Sequence, residues 1–422
     1  MNYEPRIMRK FIYWFLPALL YSSFLIHYSF ANEIPADLKN AINDKARELQ
    51  EVNQKIAQTQ KELEATEGKG KSLQKEIKQI DYRLRQLDLS IRSSEINIDK
   101  LKLEIQSLEY DIGGVRSKIG TQRSGIAEIL RTVQKKDSEN TLIMLLKHKS
   151  LAASLSEIQN LADFNDRIAT EIQQLEVLDE ELSDKLDLTG DKKSKLELEN
   201  QNLKNRKSIT AEEKNDRQDL LVRTKNQEKN YQKLISDLEK QQAAIASEIE
   251  KLEAELRAKI DPSLLPIPRP GVLAMPVPGG ILSQGYGATS FARLGYKGQW
   301  HNGLDFAAPI GTPVYASEKG KVLEVWNQDK YCYKAAYGKF IVIEHPNNLT
   351  TLYAHLSLQA VQKGDEVQRD QLIGYVGNTG YATGPHLHLT VYASQTFRIG
   401  SSKINCGPIM PYGGDLDPGK YL

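Results

Sequence analysis

Between residues 42 and 133, apolar side chains recur every seven positions among Lys, Glu, Gln, Asp and Arg. One seam runs through Ile42, Leu49, Ile56, Leu63, Gly70, Ile77, Leu84, Ile91, Ile98, Ile105, Ile112, Ile119, Ile126 and Val133. A second includes Val52, Leu73, Ile80, Leu87, Leu101, Leu108, Val115 and Ile129. A seven-residue repeat sustained this far predicts a left-handed coiled coil with charged outer faces. Gly113, Gly114, Gly120 and Gly125 fall late in this arm. Each costs about 1 kcal/mol of helix propensity against Ala, so a bend is expected there. The rhythm stops at residues 135–140, and Leu142, Ile143, Met144, Leu145 and Leu146 follow as a compact apolar run. Heptads resume with Ile168, Leu175, Leu182, Leu196 and Leu203, and firm up at Leu238, Ile245 and Leu252. Two nearly equal arms, 42–136 and 166–258, around an interruption at 137–165 predict an antiparallel hairpin about 140 Å long. The alternative is a parallel homodimer in which the interruption is a mere irregularity.

The pattern changes beyond residue 260. Four prolines at Pro262, Pro266, Pro268 and Pro270 end the helix and make residues 261–270 a semi-rigid linker. Residues 271–422 then carry short apolar runs between Gly-rich turns, such as Phe340, Ile341, Val342, Ile343 and Leu372, Ile373, Gly374, Tyr375, Val376. Their close spacing without intervening helices predicts an antiparallel β domain. Gly279-Gly280 and Gly285-Tyr286-Gly287 read as turns. His345, after a strand end, reads as a surface residue.

Residues 1–31 add a targeting signal. Arg6, Arg9 and Lys10 precede an uncharged apolar stretch, and Ser29-Phe30-Ala31 offers a small-x-small cleavage site. The stretch is nearly long enough to be an uncleaved membrane anchor instead. Either reading places residues 32–260 (coiled coil) and 271–422 outside the cytoplasm, in a periplasm or at a cell surface. Cys332 and Cys406 are the only cysteines of the 422 residues, and an even pair in an exported chain predicts one disulfide. A formal net charge of +1 gives no reason to expect nucleic acid.

The chemistry lies in two stretches. Trp300-His301-Asn302-Gly303-Leu304-Asp305 places a nitrogen and an oxygen donor four residues apart, where Asn302-Gly303 is expected to let the backbone turn. Gly384-Pro385-His386-Leu387-His388-Leu389 reads as a strand whose two imidazoles share a face. Tyr353-Ala354-His355 is a third segment, expected to place Tyr353 and His355 on one strand face. Three neutral or anionic donors on a fixed scaffold suit a tetrahedral zinc ion with one open position, and leave two histidines for acid–base work on water.

An H-x-x-x-D motif followed by Tyr-Ala-His and a G-P-H-L-H strand resembles the LytM/lysostaphin family of zinc endopeptidases, which cut peptide bridges of peptidoglycan. The resemblance covers about residues 271–422 and implies a duplicated-hybrid-motif fold. By position it implies His301, Asp305 and His388 as ligands of one zinc ion, and His355 and His386 as the catalytic pair. Thr390 departs from the family, whose members often have an acidic residue there.

The rod in turn resembles the coiled coils of EnvC-like and PcsB-like cell-separation proteins. That resemblance implies docking on a membrane transporter-like division complex, through Leu142, Ile143, Leu145 and Leu146 at the interruption. The expectation is therefore a multidomain chain, a coiled-coil hairpin followed by an antiparallel β head, acting as an exported peptidoglycan endopeptidase. The rival is a non-catalytic EnvC-like activator of a separate amidase. Dead relatives lack some of the five side chains, and all five are present here.

Overall fold

The computed structural model describes residues 34–64, 71–137, 151–295, 300–404 and 406–422. The export segment and the apolar run Leu142, Ile143, Leu145 and Leu146 lie outside the described residues. Among the described residues no helix is long and apolar enough to cross a membrane. The N-terminal part consists of four long helices, α1 (Ala36–Glu64), α2 (Leu73–Asp137), α3 (Leu151–Thr224) and α4 (Glu228–Arg257).

The chain divides into two compact units. In one, the parts of α2 and α3 between residues 110 and 182 run antiparallel, with Gln122 donating to Glu171 and Gln174. The helix α2 continues through all four of its glycines. The second unit comprises 36–109 and 183–422. There α2 and α3 are again antiparallel, joined by Lys192–Glu104, Lys207–Glu95 and Arg217–Asp81 ion pairs. The seam residues Ile80, Leu87, Ile98, Leu101 and Ile105 are buried as the heptads require.

Neither arm is one continuous helix. The first arm folds back between α1 and α2, so that Glu48 pairs with Arg92 and Gln60 accepts from Gln86. Ser72 caps the start of α2 by accepting from the Lys75 amide. The seam position at Gly70, with Gly68 beside it, is where helix propensity is weakest. The second arm turns at Lys225 and Asn226, both left-handed with φ of 52°.

The head is an eight-stranded antiparallel sheet in the order β1 (Ile281–Gln284), β2 (Leu304–Ala307), β10 (His386–Ala393), β6 (Leu349–Ala354), β5 (Lys339–Glu344), β4 (Gly320–Asn327), β8 (Glu366–Val367). β13 (Asp415–Leu416) adds to β10. A three-stranded sheet of β3 (Pro313–Tyr315), β9 (Leu372–Val376) and β7 (Leu356–Gln359) covers one face. A β11–β12 pair (Arg398–Gly400 with Met410–Tyr412) completes the strands.

The unbroken apolar run of β5 has a two-sided cause. Ile341 and Ile343 enter a cluster with Val314, Ile373 and Val376 of the smaller sheet. Phe340 and Val342 enter another with Cys332, Cys406, Met410 and Tyr412, and with Ile245 and Leu256 of α4. Both strand faces are therefore covered, and one covering is a helix of the rod. Cys332 and Cys406 form a disulfide. A second docking site joins Leu87 and Ile209 to Ile310 and Tyr375. There Tyr375 donates to Asn202 at 2.6 Å and accepts from Asn205 at 2.9 Å.

His345 is not a surface residue. It is 3% exposed, with ring nitrogens 2.9 Å from the Lys319 carbonyl and 2.8 Å from the Thr351 hydroxyl.

The helices are also tied by a buried Arg83–Glu213 pair at 2.6 Å. Removing one partner of such a pair leaves an uncompensated buried charge, which costs about 3–5 kcal/mol. Denaturant unfolding of the full chain should show Glu213→Leu destabilised by that order, and Arg83→Met/Glu213→Leu substantially recovered. A double variant no more stable than the single one would contradict this reading of the pair.

Candidate metal centre and catalytic cleft

The register of β10 builds the site. His388 lies across from Asp305 on β2 and, on its other side, across from Ala354, the last residue of β6. His355 follows Ala354 with φ of 60°, a left-handed conformation that breaks the strand. That break separates His355 from Tyr353. Tyr353 stays in the core between the sheets, while His355 lines the cleft with His386 and His388. The expectation that Tyr353 and His355 share a face therefore fails, because alternation stops at the left-handed residue.

His301 is held by an isolated bridge to Gly287. Gly303 is required for space and not for a turn. A Cβ there would fall 2.4 Å from the Leu389 carbonyl and 2.8 Å from the His388 ring. Glycine in the middle of H-x-G-x-D thus lets the second histidine strand approach.

His301 Nε2, Asp305 Oδ1 and His388 Nδ1 converge, with separations of 3.2, 2.8 and 3.0 Å. All three residues are buried, and their ligand atoms lie within 4.8 Å of one another. The outward nitrogens are already engaged. His301 Nδ1 is 2.7 Å from the Gly285 carbonyl, which can only accept, and His388 Nε2 is 2.9 Å from the Thr390 hydroxyl, which can take its proton. With those tautomers both rings present lone pairs toward one another and toward a carboxylate, an arrangement that a cation satisfies. The residues fit a metal ion with two nitrogen ligands and one oxygen ligand.

Burial alone would raise the Asp305 carboxyl, but the His301 and His388 rings hold it well below the usual range, so it is an anionic donor. The other two histidines are oriented from behind. His355 Nδ1 donates to the Thr379 carbonyl and His386 Nδ1 to the Gly384 carbonyl, each at 2.8 Å. Their rings are 4.7 Å apart. Burial, and then the nearby His386 and His388, keep His355 well below the usual imidazole range. It is thus neutral, with a free Nε2 lone pair. The structure brings all five sequence-predicted side chains to one cleft.

A family profile described as Peptidase family M23 matches residues 299–399. Residues 299–399 thus match a peptidase family M23 domain. Peptidoglycan DD-endopeptidase ShyA of Vibrio cholerae is 52% identical over 88 residues, 21% of this chain and 19% of that protein. Lysostaphin of Staphylococcus simulans is 40% identical over 109 residues, 25% of this chain and 20% of that protein. The lysostaphin catalytic domain structure shares 32% identity, covering 34% of this chain and 91% of that one with a TM-score of 0.26. The chain spans about a fifth of the length of the curated relatives it matches.

The cleft of this M23 domain has a roof that the sequence did not announce. Gln242, Ala246, Ile249, Glu250 and Glu253 of α4 line it together with the histidines, leaving about 80 Å³. Clefts that take a ligand are usually about 300–1,000 Å³, so a peptide does not fit over the histidines while α4 is in place. The helix is fastened at several points. Gln242 accepts from the Ala336 amide at 2.9 Å, and Glu248 accepts from the Lys403 amide and the Tyr412 hydroxyl. Arg257 pairs with Asp415 and lies 4.8 Å from the Trp300 ring centre.

Sequence reasoning set Thr390 aside as a non-ligand, yet its hydroxyl is the partner that orients His388. Removing such a partner typically weakens metal binding 10–100-fold. We expect Thr390→Val to lose about that much zinc affinity in chelator competition, and Thr390→Ser to keep it. Unchanged affinity in Thr390→Val would remove the orienting role.

Proposed function

We propose that this protein is an exported zinc endopeptidase that hydrolyses peptide cross-links of peptidoglycan during wall remodelling, and that its rod holds it closed. The observation that carries the enzymatic reading is the convergence of His301, Asp305 and His388 beside His355 and His386. A non-catalytic activator of an amidase would have no use for three engaged ligands and two oriented bases together. The relatives it matches include proteins named as peptidoglycan DD-endopeptidases, which supports a cross-link between D-amino acids as the bond cut.

In this reading His301, Asp305 and His388 hold the metal. Zinc would supply the Lewis acidity that peptide hydrolysis at neutral pH needs. His355, neutral and with Nε2 facing the cleft, takes a proton from the attacking water. His386, fixed by the Gly384 carbonyl, faces the same space and, in its doubly protonated form, donates from Nε2 to the oxygen that gains charge. The α4 roof excludes a peptide until it moves. The chain's division into a long rod and a roofed head supports control by a partner pulling on the rod, for which a membrane transporter-like division complex is the candidate. A peptidoglycan substrate and the targeting pattern expected of residues 1–31 both support action outside the cytoplasm.

The experiment is digestion of purified peptidoglycan with mass spectrometry of the new termini. His388→Ala and Asp305→Ala should lose both metal and activity. His355→Ala and His386→Ala should retain metal and lose rate by about 10²–10⁴-fold. Equal metal loss in all four variants would contradict the division of roles.

Gating has its own test. Arg257→Glu in the full chain, which turns an attraction to Asp415 into repulsion, should speed digestion by about tenfold or more, the factor that 1.4 kcal/mol of lost docking supplies. A rate equal to that of the unaltered chain would mean that α4 does not control access.

A further inference from the structure

Glu253 is an unexpected residue with which to anchor a helix. It is fully buried, on the face of α4 that meets the cleft. Its carboxylate accepts from Asn302 Nδ2 through both oxygens, at 2.9 and 3.1 Å, and from the Tyr392 hydroxyl at 3.0 Å. These partners are neutral. The nearest guanidinium, Arg257, is engaged with Asp415 and Glu250. Burial, and the negative charge of Asp415, push the Glu253 carboxyl well up. Keeping that carboxyl ionised without a counter-ion, or protonating it in order to bury it, works against docking at neutral pH, so a glutamine or an apolar residue would fasten α4 better. The apolar contacts of Ile245, Ile249, Leu252 and Leu256 already supply adhesion.

The donors belong to the head and not to the helix. Asn302 adjoins the ligand His301, and its amide also reaches the Tyr337 hydroxyl at 2.8 Å. Tyr392 lies four residues beyond His388 on β10 and is itself fully buried. When α4 lifts, both donors lose the carboxyl group they share, and only the Tyr337 hydroxyl remains near them. Water can enter that place, but a carboxylate fills it better, because hydrogen bonds to a charged acceptor are the stronger ones.

We infer that Asn302 and Tyr392 form a subsite for a free carboxylate of the peptide substrate, next to the bond being cut, and that Glu253 fills that subsite as a substrate mimic in the closed chain. The inference rests on the endopeptidase reading for its substrate, but the carboxylate pocket can be tested without catalysis. It gives Glu253 a purpose that anchoring does not. It also explains why closure is competitive, since substrate and helix claim the same donors.

The test uses the full chain with Glu253→Ala, which vacates the subsite without touching the head. In the metal-free protein, acetate measured by calorimetry should bind Glu253→Ala and not the unaltered chain. Binding should fall at least about tenfold, the factor a hydrogen bond to a charged group supplies, in Glu253→Ala/Tyr392→Phe. It should also fall for acetamide in place of acetate. Acetate binding alike in all three chains, or in none, would overturn the subsite.

With zinc restored, paired cross-linked peptides carrying a free carboxylate or its carboxamide beside the scissile bond extend the test to substrate. Glu253→Ala should favour the carboxylate form in KM, and Tyr392→Phe should bring that preference close to one. Equal KM values for the two peptides in Glu253→Ala would refute the specificity claim. Hydrolysis of neither peptide would refute the endopeptidase reading instead, with acetate binding still deciding the subsite.

Discussion

The pairing register of one strand is the constraint on which the site depends. β10 lies between β2 and β6, so His388 is fixed opposite Asp305 and beside the end of β6, where the chain turns at His355. A slip of one residue would send both imidazoles of His386-Leu387-His388 to the opposite face. The slip is prevented by Leu387 and Leu389, which are fully buried in the core between the sheets. It is also opposed by Gly303, whose missing side chain is the space in which the His388 ring sits. Catalytic geometry and core packing are thus the same structural fact, read from the two faces of one strand.

The second dependence runs from rod to head. Two apolar clusters tie the described helices to the β domain, one at Leu87, Ile209 and Tyr375 and one along α4, beside ion pairs such as Lys339–Glu212 and Lys334–Glu76. The first couples a heptad seam to the smaller sheet through apolar packing and the Tyr375 hydroxyl. The second places a helix over the catalytic cleft. It is mixed in character: Ile245 and Leu256 enter a core cluster of the head, while Gln242, Glu248, Glu253 and Arg257 are hydrogen-bonded to head residues. Water can replace the polar share at modest cost but not the apolar share, so lifting α4 takes work that a partner has to supply.

Much of this was legible in the sequence for identifiable physical reasons. The heptads declared helices because a seven-residue apolar period has no other common use, and the five candidate side chains stood out because their motifs resemble those of LytM/lysostaphin-type endopeptidases. The foldbacks before α2 and at Lys225-Asn226 were hidden. An antiparallel pair of short helices needs the same seam as one long arm, and only Gly68 and Gly70 hinted at the break. The destination of α4 was hidden in the same way, since Ile245, Leu252 and Leu256 look identical whether they face a helix or a β domain. Glu253 follows the seam residue Leu252 with nothing in the sequence to single it out, yet it is fully buried. Gly303 was read as a hinge although its requirement is spatial, and His345 was placed at the surface although two polar partners wait for it in the interior.

Strand register brings His301, Asp305 and His388 together in a geometry suited to a metal ion. X-ray absorption at the zinc edge, on the full-length protein loaded with one equivalent, measures that coordination sphere directly. The expected result is one tightly bound ion with two imidazole nitrogens and at least one carboxylate oxygen at about 2.0–2.2 Å, and loss of one imidazole in His388→Ala. A sphere of water oxygens alone, or one unchanged in His388→Ala, would contradict it.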